Sequence, residues 1–290
     1  MQAEGAPPTK RLRAVARHGA LDALAATWKM RGRTDKALST PRVHFPYLHA
    51  VPPQEEDDFR RLLRDLAHTH TFVSYSEAVD KTLSGQIDKP YVAFSFDDGF
   101  ASNVRTAAIL EEFGAVGCFF VATGFIGVPT LPEARDFFGY SGGIDEHAMT
   151  WTDLENLKGR GHEIGNHTYS HRQISAITPD QAVEQIGRGA EMLRERLGGI
   201  EHFAWPFGRF SHFTAEAAAE VFAQGHVSCA SAERGSHSGG VTPPESLCIR
   251  RDHVMTSWPL RHSRYFLASS ALGSRAQGWP EGWEVPHVQA

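Results

Sequence analysis

Cysteine is scarce. The 290-residue chain holds three, Cys118, Cys229 and Cys248, none in a CxxC spacing. An odd, dispersed set argues against a disulfide framework and against a thiolate metal site, and the three read as small buried residues. Long hydrophobic runs are also missing. No stretch approaches the ~20 apolar residues that cross a membrane. The N-terminus carries Lys10, Arg11, Arg13 and Arg17 but no uninterrupted apolar core of a secretion signal, so the expected location is the cytoplasm. A dominant charge is absent too. The net charge of -5 gives no electrostatic reason to expect nucleic acid as a partner, while neutral molecules such as sugars stay open. No internal repeat or low-complexity tract is visible.

The remaining composition is that of a globular protein long enough for one large α/β domain or two small ones. Residues 1 to about 41 read as a basic, helical N-terminal extension, with an Ala/Leu-rich stretch from Ala14 to Met30. A basic amphipathic helix can lie on a membrane surface; a helix packed on the domain is the favoured reading. Residues 42–270 form the expected main domain, and 271–290 a Gly/Pro/Trp-rich tail without periodicity. Within the domain, strands are expected at Val43–Leu48 (interrupted by Pro46), Phe72–Ser74, Tyr91–Phe96, Gly117–Ala122, His162–Gly165, His202–Trp205, Val227–Cys229 and Leu247–Ile249. Helices are expected at Asp57–His68, after an N-cap at Ser76, and at Val104–Phe113, Thr152–Gly161 (capped by Thr150 or Thr152), Pro179–Leu197 and Thr214–Ala223. Gly124–Thr150, with Pro129, Pro132 and Gly142-Gly143, is too long for a simple connection and reads as a loop on the substrate side. Strands alternating with helices predict a parallel sheet, open or closed into a barrel. Such sheets carry their chemistry at the carboxyl ends of the strands.

Three strand ends stand out. The apolar run Tyr91–Phe96 stops at Asp97-Asp98-Gly99. Two adjacent carboxylates at the mouth of a core repel, and a cation relieves them best. The next is Asn166-His167-Thr168-Tyr169-Ser170-His171, with two imidazoles at i, i+4. One Asp with two His is a common ligand set for a catalytic zinc-type site. Each motif alone is weak: Asp-Asp-Gly is a frequent turn, and sixteen histidines would yield roughly one such pair by chance, for instance on one surface helical face. The third strand end is Ala204-Trp205-Pro206-Phe207-Gly208. Their order along the chain is the informative feature.

In that order, Ser95–Gly99, His167–His171 and Pro206–Gly208 resemble the three motifs of the NodB-homology polysaccharide deacetylases, carbohydrate esterase family 4, over roughly residues 42–255. Met149-Thr150-Trp151 and Gly161–His167 agree. The resemblance implies a distorted, incomplete (β/α) barrel, a seven-stranded relative of the TIM barrel. It implies metal-dependent removal of an acetyl group from an N-acetylated sugar or glycan. By position, Asp98, His167 and His171 would hold the metal, Asp97 would be the base, and the Phe207 N–H would help bind the oxyanion, with Trp205, Pro206 and Arg251 lining the substrate side. Two imidazoles and a carboxylate suit Zn2+, with Co2+, Ni2+ or Mn2+ as alternatives. Such a cation acidifies water for attack and stabilises the oxyanion. The departing amine needs a general acid. His253 is the candidate and His212 its rival.

The chain departs from the pattern twice. Arg251-Asp252-His253 stands where the family has Leu-x-His, and Ala204 stands where the family often has an Arg paired with the catalytic Asp. Losing that cation should raise the Asp97 pKa unless Arg250 or Arg251 reaches in. Trp205 reads equally as a sugar-stacking wall or as core beside Phe203, and Trp151 as packing. Two other functions compete: a hydrolase of a non-peptide C–N bond in a small amide or imide, and a non-catalytic carbohydrate-binding protein.

Overall fold

The computed structural model describes residues 8–139, 145–239, 244–273, 278–283 and 285. Its strands are β1 (Arg42–His44), β2 (Pro46–Leu48), β3 (Thr71–Phe72), β4 (Pro90–Val92), β5 (Phe94–Phe96), β6 (Gly117–Val121), β7 (Glu163–Asn166), β8 (His202–Ala204), β9 (Ser228–Ala230), β10 (Ser236–His237), β11 (Cys248–Ile249) and β12 (Asp252–His253). Its α-helices are α1 (Pro8–Met30), α2 (Arg33–Leu38), α3 (Glu56–Ala67), α4 (Tyr75–Ser84), α5 (Asn103–Glu111), α6 (Leu131–Phe138), α7 (Trp151–Gly159), α8 (Pro179–Leu197), α9 (Ala215–Ala223) and α10 (Leu260–Gly273).

The main sheet runs β11-β9-β8-β7-β6-β5-β2-β12, every pairing parallel. Its two edge strands, β11 and β12, are consecutive in the chain and separated only by Arg250 and Arg251. The last strand therefore starts on β9 and finishes on β2, switching partner at the two arginines. Counted as one broken strand, it makes the sheet a seven-stranded distorted barrel, incomplete at that break. A smaller sheet, β10-β1-β4-β3, continues from it. The two expected long strands, Val43–Leu48 and Tyr91–Phe96, each split between the two sheets, at Phe45 and Ala93.

Alternation along the strands builds two layers. In β6, Phe119 and Val121 face the helices, in one core with Phe94 and Phe96 of β5 and Phe59, Leu62, Leu63 and Leu66 of α3. Cys118 and Phe120 join Phe45, Tyr75, Ala93, Ala204, Ala230 and Ile249 in a second core within the barrel. The same alternation turns Ser95 and Asp97 of the β5 segment inward.

Caps mark the helix starts. Thr150 and Thr178 each form a capping box, with Asp153 and Gln181, and Thr214 caps α9. For α4 the cap is Ser74, accepting from the Glu77 N–H; Ser76, the expected cap, instead bonds the His202 ring at 2.9 Å. Five elements were not expected from sequence: α2, α6, α10, and the short strands β10 and β12 on either side of β11. The α10 helix runs through Gly273, past the 270/271 boundary, and packs on α1 and α2. Arg261 meets Asp22 at 2.5 Å, and Arg264 meets Asp35 at 2.8 Å and Asp65 at 2.7 Å. Gly142-Gly143 and most of the tail beyond Gly273 lie outside the described residues. No helix among the described residues is long and apolar enough to cross a membrane.

Three histidines are buried as neutral rings. Burial lowers His70 and His202 to about 3 and His226 to about 4. Between those values and the unfolded pKa of about 6.5 the unfolded chain binds more protons, so stability falls as pH falls below about 6.5. These three together contribute up to ~4 kcal/mol per pH unit, at about 1.4 each. Urea midpoints should be flat from pH 8 to 7 and drop from pH 6.5 to 5. A flat midpoint over the lower range would show that these rings take up protons without unfolding.

Candidate active site

Asp97 and Asp98 lie at the carboxyl end of β5, His167 and His171 beyond β7, and Phe207 beyond β8. Neighbouring parallel strands bring the three segments to one end of the barrel. Asp98 and the two histidines each offer a ligand atom within 4.8 Å of the others. The Asp98 carboxylate oxygen Oδ1 stands 3.1 Å from His171 Nε2 and 3.6 Å from His167 Nε2. It is buried and has no hydrogen-bond donor. Burial raises the Asp98 pKa, but His171 and His167 together hold it well below the carboxylate range. The His167 Nδ1 faces the Ala204 carbonyl at 2.7 Å. As donor to that oxygen, Nδ1 carries the proton and Nε2 keeps its lone pair free. A buried acceptor without a donor, beside two imidazole Nε2 atoms, fits a divalent cation of the zinc type.

The backbone is strained where these residues sit. Among the described residues, the non-glycine residues with positive φ are Asp98 (80°), Thr168 (70°), His171 (52°) and Phe207 (62°). All four fall in the three strand-end motifs. Each such conformation costs on the order of 1–3 kcal/mol and is retained where the surroundings fix it. At the third strand end the fixing is steric. A Cβ on Gly208 would lie 2.2 Å from the Ala232 Cβ and 2.6 Å from its nitrogen, and the Ala232 N–H donates to the Gly208 carbonyl at 2.7 Å.

Arg251 resolves what stands in for an arginine at position 204. Its guanidinium makes a two-pronged pair with Asp97, Nη1 to Oδ1 at 2.7 Å and Nη2 to Oδ2 at 2.9 Å. Nη1 also reaches Ser95 Oγ at 3.2 Å, and Nε donates to the Ser231 carbonyl at 2.8 Å. The small inward side chains of Ser95, Ala204 and Ala230 leave room for it, and its plane lies 4.5 Å from the Tyr47 ring centre. Arg251 has no exposed surface. It therefore does not line the substrate side, as expected from sequence, but partners Asp97 from below. Burial raises the Asp97 pKa; Arg251, then His167, outweigh it, and the net shift is downward. Arg250 points elsewhere, over the Phe210 ring at 4.6 Å.

Trp205 is also corrected. It is fully buried, stacked on Phe213 at 4.5 Å with planes 2° apart, and its Nε1–H donates to the Arg209 carbonyl at 3.1 Å. It is core and not a wall for sugar. Pro206 is buried beneath the same turn, and Phe207 is the member of the motif that reaches the surface, 43% exposed. Phe207 packs on His171 with ring centres 5.1 Å apart. From another side Phe138, on α6 of the long 124–150 connection, meets the same imidazole at 5.0 Å. The connection expected on the substrate side thus contributes a helix next to His171.

His253 follows Arg251 by two residues and is largely buried. Burial, then His49 and Arg234, lower its pKa to about 4. His212 lies off the other flank, its ring 5.6 Å from Phe207. His49 lies outside the three motifs and was not expected at the site. It directly follows β2, is exposed, stands 5.6 Å ring to ring from His253, and lowers the pKa of both Asp97 and Asp98. Its signal was available: a histidine at the carboxyl end of the first barrel strand.

Residues 84–224 match the family model described as polysaccharide deacetylase. A peptidoglycan-N-acetylglucosamine deacetylase of Bacillus cereus is 23% identical over 175 residues, 59% of this chain and 52% of that protein. The chain thus spans about half the length of that curated relative. Among solved structures, the Streptococcus pyogenes deacetylase PplD in complex with acetate aligns with a TM-score of 0.63 and 16% identity, over 79% of this chain and 99% of that one. IcaB from Ammonifex degensii aligns with a TM-score of 0.61 and 22% identity, over 78% and 98%. At these identities the likeness shows the fold.

Proposed function

We propose that this chain, which belongs among the polysaccharide deacetylases through residues 84–224, removes an N-acetyl group from an amino sugar in a glycan or glycan precursor, using a divalent cation. The observation that carries the reading is the convergence of Asp98, His167 and His171 within 4.8 Å, beside a second carboxylate with its own cationic partner. The two aspartates are thereby differentiated. Asp98 faces imidazoles, and its Oδ1 has no hydrogen-bond donor; Asp97 faces a guanidinium.

Asp98, His167 and His171 would hold the cation, Zn2+ by donor set. When bound, it supplies Lewis acidity toward an acyl oxygen and lowers the pKa of water. Asp97 then serves as general base. Its pair with Arg251 keeps it ionised at neutral pH, so it is ready to take a proton. Phe207, at its left-handed φ, is the candidate backbone N–H donor for the oxyanion. His253 is the candidate donor to the departing amine. With a pKa of about 4 it is neutral at rest, so the proton it would hand to the amine is the one that Asp97 takes from the attacking water.

The test is acetate release, with loss of the acetyl mass, across a panel of N-acetylated mono- and oligosaccharides, with chelator and with added zinc. Release that stops on chelation and returns with zinc is the expected result. A second reading has one observation in its favour: α6 sets Phe138 against His171, which narrows the site toward small amides or imides. These belong in the same panel, and turnover of them alone would replace the sugar reading.

A further inference from the structure

Asp252 separates Arg251 from His253 on the broken last strand, and the chemistry above gives it no part. It is completely buried. Alternation sends Arg251 into the barrel and Asp252 outward, toward α10. There its Oδ1 accepts from Arg234 Nη1 at 3.2 Å and from Ser270 Oγ at 2.5 Å. Arg234 also donates from Nη2 to the His253 carbonyl at 2.9 Å, and its guanidinium lies 4.4 Å from the Phe266 ring centre. The other oxygen, Oδ2, faces His44 Nδ1 at 3.9 Å. One buried carboxylate thus gathers the segment before β10, β12 and α10.

The strand is vulnerable at this point. It leaves β9 and joins β2 within two residues, with the Arg251 N–H bonded to Glu233 O at 3.1 Å and the Asp252 N–H to Phe45 O at 2.9 Å. A slip of one residue exchanges the two faces of a strand. Here it would bring the Asp252 carboxylate to Asp97 and carry the guanidinium away.

We infer that Asp252 is a positioning residue: locked by Arg234 and Ser270, it fixes the break in the last strand and so aims Arg251 at Asp97 and His253 at the mouth of the site. This rests on the reading of Asp97 as the base. It also makes α10, which lies outside the matched segment, part of the working unit.

The experiment uses the full chain with Asp252→Asn, with Ser270→Ala as a milder second variant. First, the guanidinium 15N–1H signals of Arg251 are recorded. Held at both ends, they should be resolved and slowly exchanging in the wild type and averaged in Asp252→Asn. Second, kcat should fall on the order of 30-fold in Asp252→Asn with KM within about twofold, the loss expected of a misplaced group. Third, on an Arg251→Lys background the same change should cost no more than about threefold, because residues acting through one another are not additive. Should Asp252→Asn not fold, Ser270→Ala carries all three readouts in the same direction, with a kcat loss of about fivefold. Unchanged Arg251 signals overturn the inference, as do a loss confined to KM and losses that multiply. A wild type with resolved signals that releases no acetate overturns the deacetylase reading and leaves the signal test of Asp252 standing.

Discussion

Asp98→Asn is expected to lose cation binding and catalysis together while keeping its fold. The change is isosteric, and Asn is among the residues that best tolerate the left-handed φ of 80° found there. It removes the charge of a buried oxygen that has no donor in the protein, and with it the attraction to His171 and His167 that holds the Asp98 pKa low, so the metal-free variant should lose part of its stability at neutral pH and keep its fold. The difference appears on titration with zinc. A ligand at 100 times its Kd adds about 2.7 kcal/mol to the protein that binds it, so wild-type Tm should rise while the variant's stays in place. Turnover should fall about 1000-fold, equivalent to about 4 kcal/mol of transition-state stabilisation. A zinc-dependent rise in Tm that survives in Asp98→Asn would remove Asp98 from the ligand set. Wild-type activity that survives thorough chelation would remove the metal.

The parts of this site written locally were legible in the sequence; the parts made by contact were not. Asp97-Asp98-Gly99 and His167–His171 are short segments ending apolar strands, and a parallel sheet must bring such ends together. The amphipathic helices α3, α8 and α9 were legible for the same reason, since caps and periodicity are local. In the sequence Arg251 is one of two arginines able to replace the cation absent at Ala204. Choosing between them required the strand phase, which is hidden because the strand breaks between β11 and β12. Trp205 shows the converse limit: a tryptophan next to a motif carries no sign of which way it faces, and Phe213 and Arg209, which bury and bond it, lie further along. His49 sits in a segment split between two sheets, where its place at a barrel mouth is a tertiary fact. The left-handed residues Thr168, His171 and Phe207 were unreadable too. Propensity disfavours Thr168 and Phe207 there and favours His171 only weakly, and the neighbouring chain imposes the conformation.

Arg251→Met should be the most destabilising single change near the site, by about 3–5 kcal/mol, because it strips a buried carboxylate of its paired charge. The dependence on pH identifies the cause. In the wild type, burial raises the Asp97 pKa but Arg251 and His167 bring the net shift below the ordinary value. The stability this shift contributes is complete above the unfolded pKa of about 4 and is lost as pH falls through the lowered folded pKa. In Arg251→Met the largest lowering influence is gone and burial prevails. The folded pKa then lies above the unfolded one, and stability is lost as pH rises through it. The gap in urea midpoint between wild type and variant should therefore be wide at pH 8 and narrow at pH 5. The acid limb of acetate release should move to higher pH in the same variant, since its base stays protonated longer. Arg250→Met is the control. Among the described residues its guanidinium stacks on Phe210 and bonds the Gly278 carbonyl and no carboxylate pairs with it, so its removal should cost under about 1 kcal/mol at either pH. Equal midpoints for wild type and Arg251→Met at pH 8 would mean that Asp97 is neutralised by something other than Arg251, and the separation of base from ligand would lose its physical ground.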